Sequence, residues 1–262
     1  MPEGQFLSWQ PGTLYSDKTD TIPWLLEPGS DLVIQVHMNP SGKPEPFECS
    51  VGLYFSDEPP VATPYKIKLT SLAIDIPPNE QKFEVKDEFV LPGDVEVTRV
   101  LPHAHYLCRR MEGYAILPDG SKKWLLLIKN WDFNWQGDYQ YQNSVFLPKG
   151  TKITMNYTFD NTTNNIANPN SPPSRVIYGP QSSDEMAELW FQLVLKNPGD
   201  RPLFDKVSRE KAKATLLEFG RLGFVIDSKN PDLLIMAAQA RLAEQDFRGA
   251  YELYSQVVRL DP

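Results

Sequence analysis

Two of the three histidines in this 262-residue chain lie one residue apart, in the stretch LPHAHYLCRR (101–110). The surrounding residues favour a β-strand, and on a strand residues i and i+2 point to the same face. His103 and His105 are therefore predicted to present two imidazoles side by side, which is half of a metal site. Because an isolated pair of this kind is more often two solvated or hydrogen-bonded histidines, further ligands are needed before a metal site is predicted.

The candidates for a third ligand differ in how well they fit the pair. Cys108 has the opposite strand parity and would face the other side of a regular strand. Met186 opens a strand-like segment in QSSDEMAELW (181–190). A methionine there is commonly core filler, but a thioether beside two imidazoles would select copper. A zinc site formed by the two histidines and a carboxylate, Asp184 or Glu185, is the alternative.

The two segments together resemble a known enzyme family. PHAHYL (102–107) and SSDEMAELW (182–190), with 83 positions from the first histidine to the methionine, are similar to the copper type II, ascorbate-dependent monooxygenases. That family includes the peptidylglycine α-hydroxylating and dopamine β-hydroxylating enzymes. In its C-terminal jelly-roll domain an H-x-H pair and a later methionine hold the copper that binds oxygen. The resemblance implies that His103, His105 and Met186 are the catalytic copper ligands.

The resemblance also implies the chemistry. It would be hydroxylation of a C–H bond of a small-molecule or peptide substrate by O₂, with electrons derived from ascorbate. Two imidazoles and a weak thioether leave an open coordination position for oxygen. Because the imidazoles must be neutral to bind metal, copper affinity is expected to fall as the pH drops through the histidine range.

The family's substrate contacts are only partly matched. Peptide-hydroxylating members use an arginine two residues before the first histidine, where this chain has Leu101, with Arg99 two residues further upstream. They also use Asn and Tyr two and four residues after the methionine, where this chain has Glu188 and Trp190. Arg99, Glu188 and Trp190 remain candidates for a substrate pocket, and Trp190 is equally well explained as a core residue.

The third histidine lies in LVIQVHMNPSG (32–42). A similar stretch closes the family's N-terminal domain, where its histidine ligates a second, electron-transferring copper together with two histidines upstream. This chain has no histidine before His37. His37 is therefore predicted to be the remnant of that second copper site, and the chain is predicted to be a fragment, incomplete for turnover by itself.

The elements that must hold these residues are predicted to be mostly strands. Short runs of β-branched and aromatic residues alternate with turns rich in Pro, Gly, Asn and Asp through about residue 197, which is typical of an all-β sandwich or barrel. The resemblance implies a jelly-roll β-sandwich. The predicted strands are 31–38, 50–55, 65–69, 82–91, 95–101, 112–117, 123–129, 151–159 and 187–195.

After Asn197 the pattern changes to that of helices. Asn230 followed by Pro231 is a typical helix start, with an N-cap and then proline at the first helical position. The predicted helices are 206–219, 231–245 and 247–261. Residues 230–262 resemble a tetratricopeptide repeat, and one such repeat needs neighbours to bury its faces.

Three parts are therefore predicted. Residues 1–64 would be the last strands of a truncated N-terminal domain, and 65–197 the copper-binding domain. Residues 198–262 would be a helical tail whose repeat binds a protein partner. A different function remains open: a non-catalytic sandwich that binds copper or another ligand and is joined to a protein-interaction repeat array.

Composition excludes some partners and leaves the location open. The net charge is −8 and no basic block is present, so nucleic acid is not an expected partner. No apolar run approaches the length of a transmembrane segment. The N-terminus lacks the features of a signal peptide, although the resemblance implies an extracytoplasmic (periplasmic or secreted) location. Cys49 and Cys108 could pair or stay free.

Overall fold

The protein is described here by a computed structural model. It covers residues 22–34, 36, 38, 41–53, 55–57, 60, 62–222, 225 and 228–260. Within these residues, no helix is both long and apolar enough to cross a lipid bilayer.

The strands form three antiparallel sheets. In chain order they are β1 (Pro64–Thr70), β2 (Asp75–Ile76), β3 (Phe83–Val90), β4 (Val95–Ala104), β5 (Cys108–Ile116), β6 (Lys122–Ile128), β7 (Tyr139–Leu147), β8 (Lys152–Phe159), β9 (Val176–Ile177) and β10 (Ala187–Leu195). One four-stranded sheet has the order β1-β10-β4-β7, the other β3-β8-β5-β6, and β2 pairs with β9. The fold is mainly β, as predicted, and is consistent with a β-sandwich.

Apolar side chains from both four-stranded sheets form one shared core. The pattern is clearest on β10, where Ala187, Leu189, Phe191 and Leu193 are buried. Alternate residues of a strand point to opposite faces, so Glu188, Trp190 and Gln192 lie on the outer face of the first sheet. Burying a large apolar side chain stabilises a fold by about 1.5–3 kcal/mol. The buried residues of β10 therefore fix the strand, and with it the positions of the side chains on its outer face.

A β-bulge in β4 decides which way the first histidine points. The register with β10 runs Leu193↔Val97 and Gln192↔Arg99, so Thr98 is an extra residue in β4. Without it, His103 would share the inward parity of Val97. The bulge reverses the alternation, so that Val100 and Ala104 are buried while His103 lies on the outer face.

Seven of the nine predicted strands form, and the other two are not seen among the described residues of their segments. The described residues of 31–38 and 50–55 are not in strands, and apolar side chains such as Val33 and Phe55 are exposed there. A strand is stabilised by hydrogen bonds to a neighbouring strand, and an apolar alternating pattern alone does not supply that neighbour. Three strands were not predicted: the polar β7 and the two-residue β2 and β9.

The helices lie close to their predicted positions. They are α1 (Arg201–Phe219), α2 (Pro231–Ala243) and α3 (Phe247–Leu260). Asn230 caps α2 as predicted, because its side-chain oxygen accepts a hydrogen bond from the Asp232 amide at 2.9 Å. α1 begins five residues before the prediction, since a short 3₁₀ turn (Pro198–Asp200), capped by Asn197, leads directly into it.

The helices pack onto the sheets rather than standing apart. Phe204 of α1 is fully buried in the core of the sandwich, with its ring 5.4 Å from the ring of Tyr65. Lys211 of α1 pairs with Asp87 of β3 at 2.5 Å. A second apolar cluster joins Phe219 to α2 and α3. The domain boundaries at 64/65 and 197/198 stay predictions.

Candidate metal centre

The two neighbouring histidines come together at the end of β4. His103 is the penultimate residue of that strand, and His105 directly follows its end. The ring centroids are 5.2 Å apart and the ring planes are nearly perpendicular, at 82°. His103 is partly buried and His105 is buried. The predicted pairing of the imidazoles is therefore present in the structure.

A loop between β6 and β7 orients His103. The side-chain oxygen of Gln136 lies 2.7 Å from His103 Nδ1. The amide nitrogen of the same side chain donates to the Phe133 carbonyl at 2.9 Å, which turns the amide oxygen toward the imidazole. Because that oxygen can only accept, His103 Nδ1 is the donor of this hydrogen bond.

His105 is oriented from the other side of the centre. Its Nδ1 donates to the main-chain carbonyl of Asp184 at 3.0 Å. Its own carbonyl accepts a hydrogen bond from the indole nitrogen of buried Trp131 at 3.0 Å, and the Phe133 ring meets the imidazole edge-on at 5.8 Å. Burial, together with the neighbouring His103, lowers the pKa of His105 to about 4, with the Asp184 carbonyl acting in the opposite direction.

The hydrogen bonds suit metal-ligating histidines. In metal sites the nitrogen that does not bind the metal usually donates to a carbonyl or carboxylate, which fixes the tautomer and the ring direction. Here both Nδ1 atoms donate to carbonyl oxygens, so Nε2 of each ring is the nitrogen that remains for a metal. The residues present therefore fit a site with two imidazole ligands.

Met186 lies beside this pair. It is partly buried and directly precedes β10. The register pairs Glu188 with His103 and ends at Ala187 with Ala104, and the amides of Met186 and His105, the next residue of each segment, both donate to Oε1 of Glu185. Since paired residues of neighbouring strands point to the same face, the register places His103 and Glu188 on one face, and His105 and Met186 directly follow the last pair at that end of the sheet.

The two carboxylates of the zinc alternative, Glu185 and Asp184, accept hydrogen bonds from main-chain amides. Glu185 is fully buried and accepts hydrogen bonds from the amides of His105 (2.5 Å), Leu107 (2.9 Å) and Met186 (2.9 Å). Burial raises the pKa of Glu185 to about 8, while the amide donors act in the opposite direction. The carboxylate of Asp184 accepts from the Gln181 amide at 3.1 Å.

No group of three His, Cys, Asp or Glu side chains is arranged to hold a metal ion in the part of the chain that the structure describes. A thioether such as that of Met186 does not belong to these four residue types.

Glu188 and Trp190 are hydrogen-bonded to each other on the outer face of β10. The Glu188 carboxylate is only 2% exposed and contacts Lys68 Nζ at 3.2 Å and the Trp190 indole nitrogen at 3.0 Å. Burial favours a higher pKa for Glu188, but Lys68, His103 and Trp190 outweigh it and lower the pKa. Trp190 therefore faces away from the sandwich core, and the charge of Glu188 is already compensated.

Arg99 lies on the same face but farther from the histidines. It pairs with Asp138 at 3.2 Å and contacts Gln140 at 3.4 Å. It lies four positions before His103, which is about 13 Å along a strand. The structure thus places Arg99 on the predicted face without bringing its charge to the histidine pair.

Three residues considered from the sequence remain: His37, Cys49 and Cys108. His37 lies outside the described residues. Cys49 is exposed and Cys108 is buried, and neither is in a disulfide. Cys108 belongs to the buried core. Burial raises the pKa of its thiol, which disfavours the thiolate form that binds metals.

Sequence reasoning missed the residues that support the histidines. Gln136 and Trp131 lie in WDFNWQG (131–137), and Lys68 lies in β1. Three aromatic residues within seven positions, beside one glutamine, were a usable signal, because large aromatic side chains are mostly buried against other residues. Nothing in the local pattern showed that it packs on His103 and His105, since the loop and the pair meet only in the folded chain.

Comparison with known proteins adds little to this description. Neither a family model nor a curated protein matches the sequence. Among solved structures, a chain of the T13 IBDV viral particle matches at 11% identity with a TM-score of 0.25, covering 54% of this chain and 35% of that one. A chain of infectious bursal disease virus Gx strain matches at 11% identity with a TM-score of 0.24, covering 55% and 37%.

A chain of the infectious bursal disease virus VP2 subviral particle matches at 9% identity with a TM-score of 0.22, covering 56% of this chain and 47% of that one. This chain thus spans less than half the length of each of these structures. Similarity at these TM-scores carries no argument about fold or function.

Proposed function

We propose that this chain is a copper-dependent monooxygenase-like protein whose oxygen-binding copper is held by His103, His105 and Met186. The observation that carries the proposal is the pair of Nδ1 hydrogen bonds to carbonyl oxygens, at 2.7 and 3.0 Å. They fix the directions of two imidazoles whose ring centroids lie 5.2 Å apart, and the Met186 amide shares a carboxylate oxygen of Glu185 with the His105 amide. Two imidazoles with a thioether favour copper over zinc.

The chain's own residues would bind and orient. His103 and His105 would hold the metal through Nε2, and Met186 would supply the weak sulfur ligand. Bound copper would supply the oxygen chemistry, with electrons derived from ascorbate. Gln136 and the Asp184 carbonyl would keep both rings in the required tautomer, and Trp131 and Phe133 would limit the access of water to His105.

The substrate we propose is a small molecule rather than a peptide carboxylate. Glu188 is compensated by Lys68 and Trp190, and Arg99 is paired with Asp138. A free carboxylate of a peptide would therefore meet no unpaired charge among these three candidate pocket residues. The jelly-roll topology, a second copper site involving His37 and an extracytoplasmic location belong to the same proposal, on the strength of the resemblance.

Copper titration with X-ray absorption of the Cu(I) form tests the proposal. We expect one tight equivalent with nitrogen and sulfur scatterers in the wild type, and loss of the sulfur scatterer in Met186→Leu. Met236→Leu, which changes a partly buried methionine of α2 packed in the helical cluster, is the matched control and should keep the wild-type spectrum. Absence of stoichiometric copper, or sulfur-free binding in the wild type, would sink the assignment.

A second candidate function rests on α3. Phe247, Tyr251 and Val258 are 69%, 73% and 65% exposed, and their spacing places them on one side of the helix. This apolar row favours a helical tail that contacts a protein partner, as in a tetratricopeptide-like repeat. The sandwich could then bind copper without turnover.

Oxygen consumption separates the two functions. A monooxygenase supplied with ascorbate and its substrate consumes O₂ faster than an equal concentration of free copper and releases a hydroxylated product. A binding module holds the same copper and does neither.

A further inference from the structure

One buried carboxylate connects the two segments that carry the proposed ligands. Glu185 lies immediately before Met186 and 80 positions after His105 in the chain. Its Oε1 accepts hydrogen bonds from the amides of both His105 and Met186, at 2.5 and 2.9 Å. Its Oε2 accepts from the amide of Leu107 at 2.9 Å.

Because the amides of His105 and Met186 share one oxygen, the main chain of the two segments is held close together at these residues. The amide nitrogens of His105 and Met186 are both within hydrogen-bond distance of the same atom, beyond the last pair of the β4–β10 ladder, Ala187↔Ala104. The sheet hydrogen bonds therefore no longer fix their separation. The carboxylate takes over that role at the point where the sheet ends.

A glutamine side chain cannot make the same contacts. Three N–H groups converge on Glu185 and both of its oxygens accept them, whereas an amide side chain has only one accepting oxygen. In either orientation of a glutamine, its NH₂ group would face at least one N–H donor. An unmet buried donor is costly, so the main chain around it would move.

We propose that Glu185 is the positioning residue that sets the distance between the His105 imidazole and the Met186 thioether. The inference rests on the proposed copper site and adds a residue to it. Glu185 touches neither substrate nor metal in this role. It acts through the main chain of the two ligands.

Glu185→Gln tests this role. We expect copper to keep its two imidazole ligands in the variant but to lose the sulfur scatterer, with Cu(I) affinity lowered at least about 10-fold, as for other residues that orient ligands. A residue with a merely structural role would lower thermal stability without changing the set of ligands.

Asp87→Asn is the matched control. Asp87 also accepts a main-chain amide hydrogen bond, from Thr70 at 2.8 Å, and pairs with Lys211, so its loss should cost stability but leave the copper spectrum unchanged. An equal loss of sulfur scattering in both variants would overturn the role of Glu185, because it would report general loosening of the fold.

A metal-free measurement separates this inference from the proposed function. By NMR, the amide protons of His105 and Met186 should exchange faster in Glu185→Gln and at the wild-type rate in Asp87→Asn. Wild-type exchange rates in Glu185→Gln, or an unchanged copper–sulfur spectrum in that variant, would overturn the inference. Missing copper–sulfur coordination in the wild type itself would instead overturn the proposed function.

Discussion

Each histidine of the pair is held by a neutral carbonyl oxygen, one from a side chain and one from the main chain. A carboxylate at Nδ1 would stabilise the imidazolium, whereas a carbonyl orients the ring with less bias toward the charged form. At His105 burial, together with the neighbouring His103, outweighs the Asp184 carbonyl, and the pKa falls to about 4. The local environment therefore keeps His105 in the neutral form that metal binding requires.

The pKa of His105 predicts a pH dependence of stability. Its pKa is about 4 in the folded chain and 6.5 without the fold, so between these values the unfolded state binds the proton and the folded state does not. The contribution of His105 to stability is thus present above about pH 6.5 and is lost as the pH falls toward 4. The difference corresponds to about 3 kcal/mol of unfolding free energy.

NMR titration of the His105 ring measures this directly, and His105→Gln should flatten the fall in unfolding free energy between pH 6.5 and 4. A folded-state pKa near 6.5 would contradict the prediction. The same measurement refines the expected loss of copper affinity, since protons should compete for His105 only near pH 4 rather than in the ordinary histidine range.

Two irregular elements assemble the centre. The bulge at Thr98 turns His103 to the outer face of its sheet, and the loop between β6 and β7 lays Gln136, Trp131 and Phe133 over the imidazoles. The bulge interrupts the alternation of β4, and the loop contains no strand or helix among its residues 129–138. The strands hold the main chain in place, whereas the bulge and the loop determine the orientation of the two imidazoles.

Gln136→Leu should weaken metal binding without unfolding the protein. It removes the acceptor of the His103 Nδ1 hydrogen bond, and loss of such an orienting contact typically lowers metal affinity about 10- to 100-fold. Copper competition titration measures the change.

Trp135→Ala is the control in the same loop, because Trp135 is exposed and its removal should leave the affinity within about twofold. Equal affinities of Gln136→Leu and the wild type would show that Gln136 does not orient the ligand.

At the scale of the whole molecule, helices and sheets share their cores. Phe204 of α1 is buried among strand residues, and Tyr178, which follows β9, packs against Phe219 with ring centroids 5.7 Å apart. A helical tail that only touched the sandwich at its edge would unfold separately. These contacts instead couple α1 to the sheets, so we expect the two to unfold together.

Phe204→Ala tests that coupling. Removing a fully buried phenylalanine should lower the unfolding free energy by about 3–5 kcal/mol, and the loss should appear equally in far-UV circular dichroism, which follows the helices, and in tryptophan fluorescence, which follows the strands. Lys206→Ala, at an exposed position of the same helix, should change stability by less than about 0.5 kcal/mol. Two separate transitions in the wild type would show that the helices unfold independently of the strands.

The mainly β fold could be predicted because its information is local. Alternation of apolar residues along β3, β4, β5 and β10 and the turns between them identify strands without any knowledge of their partners. The start of α2 was predicted for the same reason, since Asn230 and Pro231 form an N-cap with a neighbouring amide. The segments 31–38 and 50–55 have a similar pattern, but strands also need neighbours.

The sequence by itself determined the residue types of the centre: two imidazoles at strand spacing and a distant methionine before a strand. The tertiary structure decided which face His103 occupies, because one bulged residue reverses strand alternation. It also decided which groups support the pair, because Gln136, the Asp184 carbonyl and Glu185 reach the histidines through contacts between residues 33 to 80 positions apart. Residue types and their spacing are local properties of a chain, whereas a bulge and hydrogen-bond partners across such distances exist only after the sheets have paired.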